Sequence, residues 1–518
     1  MNVYEILLRA FGNRKTRRYG TLRSNGSGKF SDITDEVLNQ IASLGIDAVW
    51  YAGVLAHSSK TVFTRVQECN PTPVKGECGS PFAIRDYYDV APELADKLSY
   101  RMKEFDSLVV RTHRHKMKVV IDFVPNHVAR EYHSRRNEFT SENYFLLNAP
   151  LTLPVEEGCP YIEDPARATG NDAFTPTPSV DDWYDTVKLN YGSRDTWKKM
   201  KDILLFWAEK GVDGFRCDMV EMVSCEFFAY AISEVHKLHP DVIFIAEVYK
   251  PENYRRYRDA GFSLLYDKSG MYDTLRGIIE GSKPASAISG AWQSLGDLQD
   301  NMLNFLENHD EPRIASDFVT GNVAEKAESM QTASAAKGAA LLDARTQMCA
   351  AAVAALFNNA SFMIYFGQEF GERGMESEGF SGPDGRTSIY DYCVVPSVSR
   401  FLAGESLPVE RKALNAYSRL MKYAVSAPFL GGRSFDLQYC NPFSYCFDPS
   451  KQFAFIRSDG RKSALVVCNF SSEEVTVKVN LPALAFEYLG MVETSAFNHT
   501  RPETVNVRPF GYTVEFLH

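Results

Sequence analysis

The sequence predicts an α/β protein: a (β/α)8 TIM barrel with an inserted subdomain after its third strand and a C-terminal antiparallel β domain. Three observations predict it. Apolar, strand-like runs alternate with stretches of helical periodicity. One interval between them is far longer than a connecting loop. Beyond residue 427 the texture changes to short alternating runs separated by turn residues. With 518 residues and 45% apolar content, the chain can bury a large core in one major and one or two smaller domains.

Eight strand candidates can be counted: Tyr4–Leu8, Ala48–Tyr51, Lys118–Phe123, Gly214–Arg216, Val242–Ala246, Phe262–Tyr266, Asn304–Glu307 and Ser361–Tyr365. Most intervals between them have room for a helix. Thr34 opens an acid-led amphipathic run to Leu44 that stops at Gly45, which is the signature of a capped helix. Thr196 to Lys210 repeats the pattern and stops at Gly211, so helix, glycine and strand follow one another closely, as in the short αβ connections of such barrels.

Val128 to Asp185 breaks the rhythm with Pro-, Thr- and Asp-rich sequence. Ordered structureless loops of that length are uncommon, so the segment reads as a subdomain inserted at a strand's carboxyl end, beside the barrel mouth. Ala333 to Leu342 reads as helix by propensity alone, and a final helix is expected around Leu414 to Ala427. After it, Gln452–Arg457, Ser463–Asn469 and Glu474–Asn480 alternate between Asp-Gly and Ser-Ser turns. The expected domains are therefore 1–127 with 186–427 for the barrel, 128–185 for the insertion, and 428–518 for a C-terminal β-sandwich.

The formal charge of -10 gives no electrostatic footprint for nucleic acid, and no run of Lys or Arg suggests an anionic membrane surface as partner. The most apolar stretch, Met348 to Phe357, falls short of the ~20 residues of a membrane span. Tyr4-Glu-Ile-Leu-Leu-Arg9 is too short and too charged for a signal-peptide core, so a cytoplasmic protein is expected unless a leader has been removed. Ten cysteines are scattered without a Cys-x-x-Cys pair and read as reduced thiols; only Cys69/Cys78 and Cys440/Cys446 lie close enough to raise a disulfide. His113 and His115 sit in a basic helical run and read as a solvated face rather than a metal pair. The oligomeric state is not encoded.

Four segments carry the chemistry: Asp122-Phe-Val-Pro-Asn-His127, Gly214-Phe-Arg-Cys-Asp218, Phe244-Ile-Ala-Glu247 and Glu307-Asn-His-Asp310. Each closes an apolar run, and the carboxyl ends of barrel strands are where active sites of this architecture are built. Residues two apart on a strand share a face, so Arg216 and Asp218 point together, and the cation is expected to lower the Asp218 pKa and hold it ionised, as a nucleophile must be. Glu247 emerges from Val242-Ile-Phe-Ile-Ala with no base nearby in sequence, so its pKa is expected to rise, which suits a proton donor. Asp310 would stabilise a positively charged ring, while neutral His127 and His309 would bind sugar hydroxyls.

On these motifs the chain resembles the α-amylase family, the thirteenth family of glycoside hydrolases. Asp122–His127, Gly214–Asp218, Ala246-Glu247 and Asn308–Asp310 match its four ordered motifs. The insertion looks like its domain B, Met363-Ile-Tyr-Phe-Gly-Gln-Glu369 like its eighth-strand motif, and the β-rich end like its domain C. The resemblance implies Asp218 as nucleophile, Glu247 as general acid/base and Asp310 as transition-state stabiliser, with Arg216, His127, His309, Phe82 and Asp122 around the substrate. It implies retaining cleavage of α-glucosidic bonds in starch- or glycogen-type saccharides, with α-1,4 linkages and endo action expected. A transglycosylase or α-1,6-acting relative using the same covalent intermediate is the alternative; a non-catalytic glycan-binding relative is disfavoured by the intact carboxylates.

Three departures from the family pattern stand out. Phe82 stands where a tyrosine usually stacks on the sugar, and Ala83 where exo-acting α-glucosidases usually carry an aspartate. Glu221-Met222 replaces the Lys-His that many α-amylases use for aglycone sugars and calcium, although Asn126 matches a common calcium ligand. No cofactor is therefore expected to be required, no metal-ligand set is assigned, and calcium is doubtful. Trp183, Tyr184 and Trp197 fit either a sugar-stacking platform or subdomain packing.

Overall fold

In the computed structural model, residues 1–13, 20–64, 66, 68–153, 161–316, 319, 346–374, 380, 382–491 and 501–517 are described. Eight strands, β1 (Val3–Leu7), β2 (Ala48–Ala52), β3 (Lys118–Phe123), β4 (Gly214–Cys217), β5 (Ile243–Ala246), β6 (Leu264–Tyr266), β7 (Met302–Asn304) and β8 (Ser361–Tyr365), form a closed barrel. All neighbours are parallel, and β1 closes the ring by pairing Val3 with Ala48 of β2 and with Met363 of β8. The strands are buried almost without exception, as expected of a parallel sheet covered by helices.

Local chemistry sets the helix ends. In Asp35–Ser43 the Thr34 side chain accepts from the Val37 N–H, and Gly45 follows at φ 69°, a left-handed conformation that favours glycine. Arg194–Glu209 starts before Thr196, because the Ser193 side chain accepts from the Asp195 N–H and caps it. The seventh strand lies earlier than the apolar run suggests. Phe305 and Leu306 are buried without pairing in the sheet, and Phe305 packs on Tyr266 and Tyr272. The chain leaves the barrel at Asn304, whose amide donates to the Ala354 carbonyl at 2.9 Å.

Two excursions build the mouth. After β3, His127–Ala129 pairs antiparallel with Thr186–Lys188, enclosing a segment that contains a second pair, Leu151–Thr152 with Ile162–Glu163. Inside it, Glu163 is held between Arg130 at 3.1 Å and Arg167 at 2.7 Å. After β2, Leu55–His57 pairs with Ile84–Val90, an unpredicted hairpin whose connection carries Phe82.

At the C-terminal end, Arg433–Asp436, Gln452–Ser458, Ser463–Asn469 and Tyr512–Leu517 make a four-stranded antiparallel sheet. Val475–Leu481 and Arg501–Val507 form a separate antiparallel pair sharing its apolar core. The helix Met348–Leu356 is buried along its whole length, between helix Pro408–Ala424 and this sheet. The helix expected at Ala333 to Leu342 lies outside the described residues. Cys69, Cys78, Cys440 and Cys446 are free thiols. His113 and His115 pair with Asp213 and Asp35, each at 2.7 Å. Among the described residues no helix is long and apolar enough to cross a membrane.

Candidate active site

The carboxyl ends of β3, β4 and β5, together with the loop after β7, surround a cavity of about 310 Å³. Phe82, His127, Trp183, Asp218, Glu247, Tyr249 and Asp310 are among its lining residues. Arg216 organises it from below. The guanidinium is fully buried; Nη1 donates to Asp218 Oδ1 at 2.7 Å, and Nη2 lies 2.7 Å from Glu247 Oε1 and 3.9 Å from Asp310 Oδ2. Three carboxylates from three distant segments thus meet on one cation, and the shared strand face of Arg216 and Asp218 sets the first of these contacts.

The electrostatics correct the sequence reading in two places. Burial raises the Asp218 carboxyl and outweighs the lowering effect of Arg216, with Asp310 adding to the rise. His309 is held as an imidazolium: burial disfavours the charge, but Asp310 and Glu5 more than offset it and push its pKa well up. Its Nδ1 lies 2.6 Å from Glu5 Oε1 and its Nε2 3.0 Å from Asp310 Oδ2. Burial drives Glu247 the expected way, up to about 7 against the opposing pull of Arg216. Asp310 falls to about 2, because His309, and then Arg216 and Arg386, outweigh its own desolvation. His127 is neutral, since burial pushes it down to about 4.

Asp122 lies beneath the cavity rather than on its wall. Oδ1 accepts from Trp50 Nε1 at 3.1 Å and Oδ2 from the Gly53 N–H at 2.9 Å, so both oxygens are used within the barrel. Phe82 does reach the cavity, but its ring is stacked on the His309 imidazole at 4.9 Å. The three aromatic candidates separate. Trp183 lines the cavity against His127, Tyr184 lies under the Lys75 ammonium, and Trp197 packs on Phe227 and Tyr230 with its indole N–H on the Tyr191 carbonyl.

Sequence reasoning missed Glu5, Lys75 and Tyr249. Glu5 left a signal, since a carboxylate in the middle of an apolar barrel strand needs a cationic partner. Lys75 lines the cavity and donates to the Asp182 carbonyl at 2.9 Å. Tyr249 donates its hydroxyl to Glu247 Oε1 at 2.7 Å.

A family model described as "Alpha amylase, catalytic domain" matches residues 15–391. The chain belongs to the α-amylase family of glycoside hydrolases. A second model, "Alpha amylase, C-terminal all-beta domain", matches residues 447–508. Among α-amylase relatives, the protein named alpha-amylase MalA from Haloarcula japonica is 23% identical over 497 residues, covering 93% of this chain and 56% of that protein. The alpha-1,4-glucan:maltose-1-phosphate maltosyltransferase of Cereibacter sphaeroides (strain ATCC 17023) is 26% identical over 244 residues, 46% of this chain and 32% of that protein. The match thus spans about a third of that relative's length. The ligand-free structure of a cyclic alpha-maltosyl-(1-->6)-maltose hydrolase from Arthrobacter globiformis superposes with a TM-score of 0.65 at 15% identity, covering 100% of this chain and 98% of that one. At that identity the likeness is one of fold.

Proposed function

We propose that the chain is a retaining glycosidase acting on α-glucosidic bonds of α-glucan oligo- or polysaccharides, with Asp218 as nucleophile, Glu247 as general acid/base and Asp310 as stabiliser of the ring cation. The observation that carries this reading is the single guanidinium of Arg216 touching both Asp218 and Glu247 in one cavity. Two carboxyl groups sharing one cation fit the ~5–5.5 Å pair of a retaining enzyme better than the wider pair of an inverting one. The environments divide the roles. Glu247, raised to about 7, carries a proton to donate. Asp218 keeps the direct Arg216 hydrogen bond that supports its anion.

In the first step an Asp218 oxygen bonds to the anomeric carbon as the glycosidic C–O bond breaks, and the Glu247 proton passes to the departing oxygen. Positive charge developing on the ring is opposed by Asp310, which His309 and Arg216 keep ionised. In the second step the Glu247 carboxylate takes a proton from water, whose oxygen displaces Asp218, restoring both groups and the original anomeric configuration. Neutral His127, on the cavity wall, serves as a hydroxyl partner for the bound sugar.

At the calcium-type position the Asn126 amide donates to the Gly170 carbonyl at 2.7 Å and its Oδ1 is buried without a partner, yet among the described residues no group of three or more His, Cys, Asp or Glu side chains could hold a metal ion. Lys188 Nζ forms an ion pair with Asp172 at 2.5 Å and lies 3.5 Å from the Met222 carbonyl, so an ammonium already neutralises the acid of this corner. We propose accordingly that the enzyme needs no metal, and no step above involves one.

The test is a time-resolved product profile from maltoheptaose, isomaltose-type oligomers and pullulan, with Asp218→Asn as control. Internal fragments appearing first, retained anomeric configuration and loss of turnover in the control support the reading. Products larger than maltoheptaose would move it to the transferase alternative. Full turnover by Asp218→Asn, or binding of maltoheptaose without cleavage, would overturn it.

A further inference from the structure

The proposed acid/base has more partners than a lone carboxyl in an apolar pocket. Glu247 Oε1 accepts the Tyr249 hydroxyl at 2.7 Å and has Arg216 Nη2 at 2.7 Å, while among the described residues Oε2 accepts only the Met219 N–H, also at 2.7 Å. The other ionisable groups around it are Asp218 and Asp310, with Tyr266 behind Arg216. A carboxyl oxygen offers two lone-pair directions. On Oε1 the phenol hydrogen takes one and the guanidinium charge lies in contact without an aligned hydrogen bond, whereas on Oε2 one is left over.

Tyr249 is itself held in place. Glu221 Oε2 accepts the backbone N–H groups of Tyr249 at 2.9 Å and Lys250 at 3.3 Å, and its Oε1 accepts the Asn253 side-chain amide. Glu221 therefore pins the start of the loop after β5 to the loop after β4. It is one of the positions where this chain departs from its family's usual residues, and it has no other hydrogen-bond role among the described residues.

We propose that Tyr249 is a positioning residue for the acid/base: set by Glu221, its phenol occupies Glu247 Oε1 and directs the transferable proton to Oε2. The inference rests on the glycosidase reading above. In the glycosylation step the Oε2–H bond breaks and a bond from that hydrogen to the glycosidic oxygen forms. The resulting carboxylate charge is held on Oε1 by the phenol and the guanidinium. In the return step water gives its proton back to Oε2. The phenol keeps its own proton throughout.

The experiment compares wild type, Tyr249→Phe, Glu221→Ala and Glu221→Gln on maltoheptaose and on α-maltosyl fluoride, whose leaving group departs without a proton. Wild-type cleavage of both substrates, with loss of maltoheptaose turnover in Glu247→Gln, establishes the underlying reading; a wild type that cleaves neither refutes that reading itself. Given that reading, Tyr249→Phe is expected to lower kcat on maltoheptaose about tenfold with KM little changed, the size of one lost charge-assisted hydrogen bond. The fluoride kcat/KM, which reports only the first bond cleavage and not the return step, should stay within about twofold. Loss of a donor to the carboxylate also raises the Glu247 pKa, so the basic limb of kcat/KM shifts to higher pH. Glu221→Ala should reproduce this split, and Glu221→Gln, which keeps one acceptor oxygen, should restore most of it. Parallel loss on both substrates with an unmoved pH limb, or no loss on either, overturns the proposal.

Discussion

Glu5 and His309 face each other at 2.6 Å, with neither side chain more than 1% exposed. The pair crosses the barrel interior from the middle of β1 to the loop after β7, and the imidazole's far nitrogen is on Asp310. A carboxylate, an imidazolium and a second carboxylate thus stand in line, and the last of them faces the cavity.

Removing the first charge should be felt at the last. Glu5→Gln lowers the His309 pKa, and with it the charge that keeps Asp310 ionised, so kcat is expected to fall roughly 10–100-fold. KM should change less, and the loss should deepen as pH rises through the new His309 pKa. Steady-state kinetics with a histidine NMR titration check this; an unaltered His309 titration would contradict it.

The pH profile follows from two raised carboxyls. The nucleophile must be ionised, so activity falls as pH drops through the upward-shifted Asp218. The donor must be protonated, so activity falls as pH rises through Glu247 at about 7. A bell in kcat/KM with its optimum on the acid side of 7 is expected. A plateau extending through pH 8 would count against Glu247 as donor.

Lys188 should make chelators irrelevant. Overnight EDTA treatment is expected to leave activity and Tm unchanged. Lys188→Ala, which leaves half-exposed Asp172 without its ammonium, is expected to cost about 1 kcal/mol of stability. Thermal unfolding of both proteins, with and without calcium, decides it; a wild-type activity that EDTA removes and calcium restores would be the opposite result.

Stability should decline with rising pH through a different buried acid. Burial pushes Glu369 up to about 7, against the lowering effect of its Tyr4 hydrogen bond. Because its folded pKa is raised, its contribution is complete below the unfolded value of about 4.3 and is lost as pH climbs through the folded value of about 7, by roughly 3–4 kcal/mol in all. Glu369→Gln should shrink the Tm difference between pH 5.5 and 8. Asp122, raised to about 6, and Glu247 act in the same sense, so the slope is reduced rather than abolished.

Much of this architecture was legible in local patterns. Apolar runs marked the barrel strands, and cap residues with glycines marked the helices between them, because both signals are written within a few neighbouring residues. The seventh strand was misplaced since burial of Phe305 and Leu306 looks, in one dimension, the same as burial in a sheet. Charge states were harder to read. Arg216 beside Asp218 was visible, but the depth that outweighs it was not, and the Glu5 that charges His309 lies at the other end of the chain. Glu221 acts through the Tyr249 and Lys250 N–H groups and Lys188 through the Asp172 carboxylate, partners that only the folded chain brings near.

The helix Met348–Leu356 has no solvent-facing side, and the Cys349 N–H donates to the Phe510 carbonyl at 2.9 Å. Its outer flank is covered by the terminal sheet, so that sheet acts as a lid for the barrel's greasiest element rather than as an independent appendage. Cutting the chain before Arg433 would lay bare a strip of alanine, valine and leucine next to the closing strand. A shortened enzyme of that kind should clump rather than work, and grafting a foreign tail would succeed only where it brings an equally oily underside.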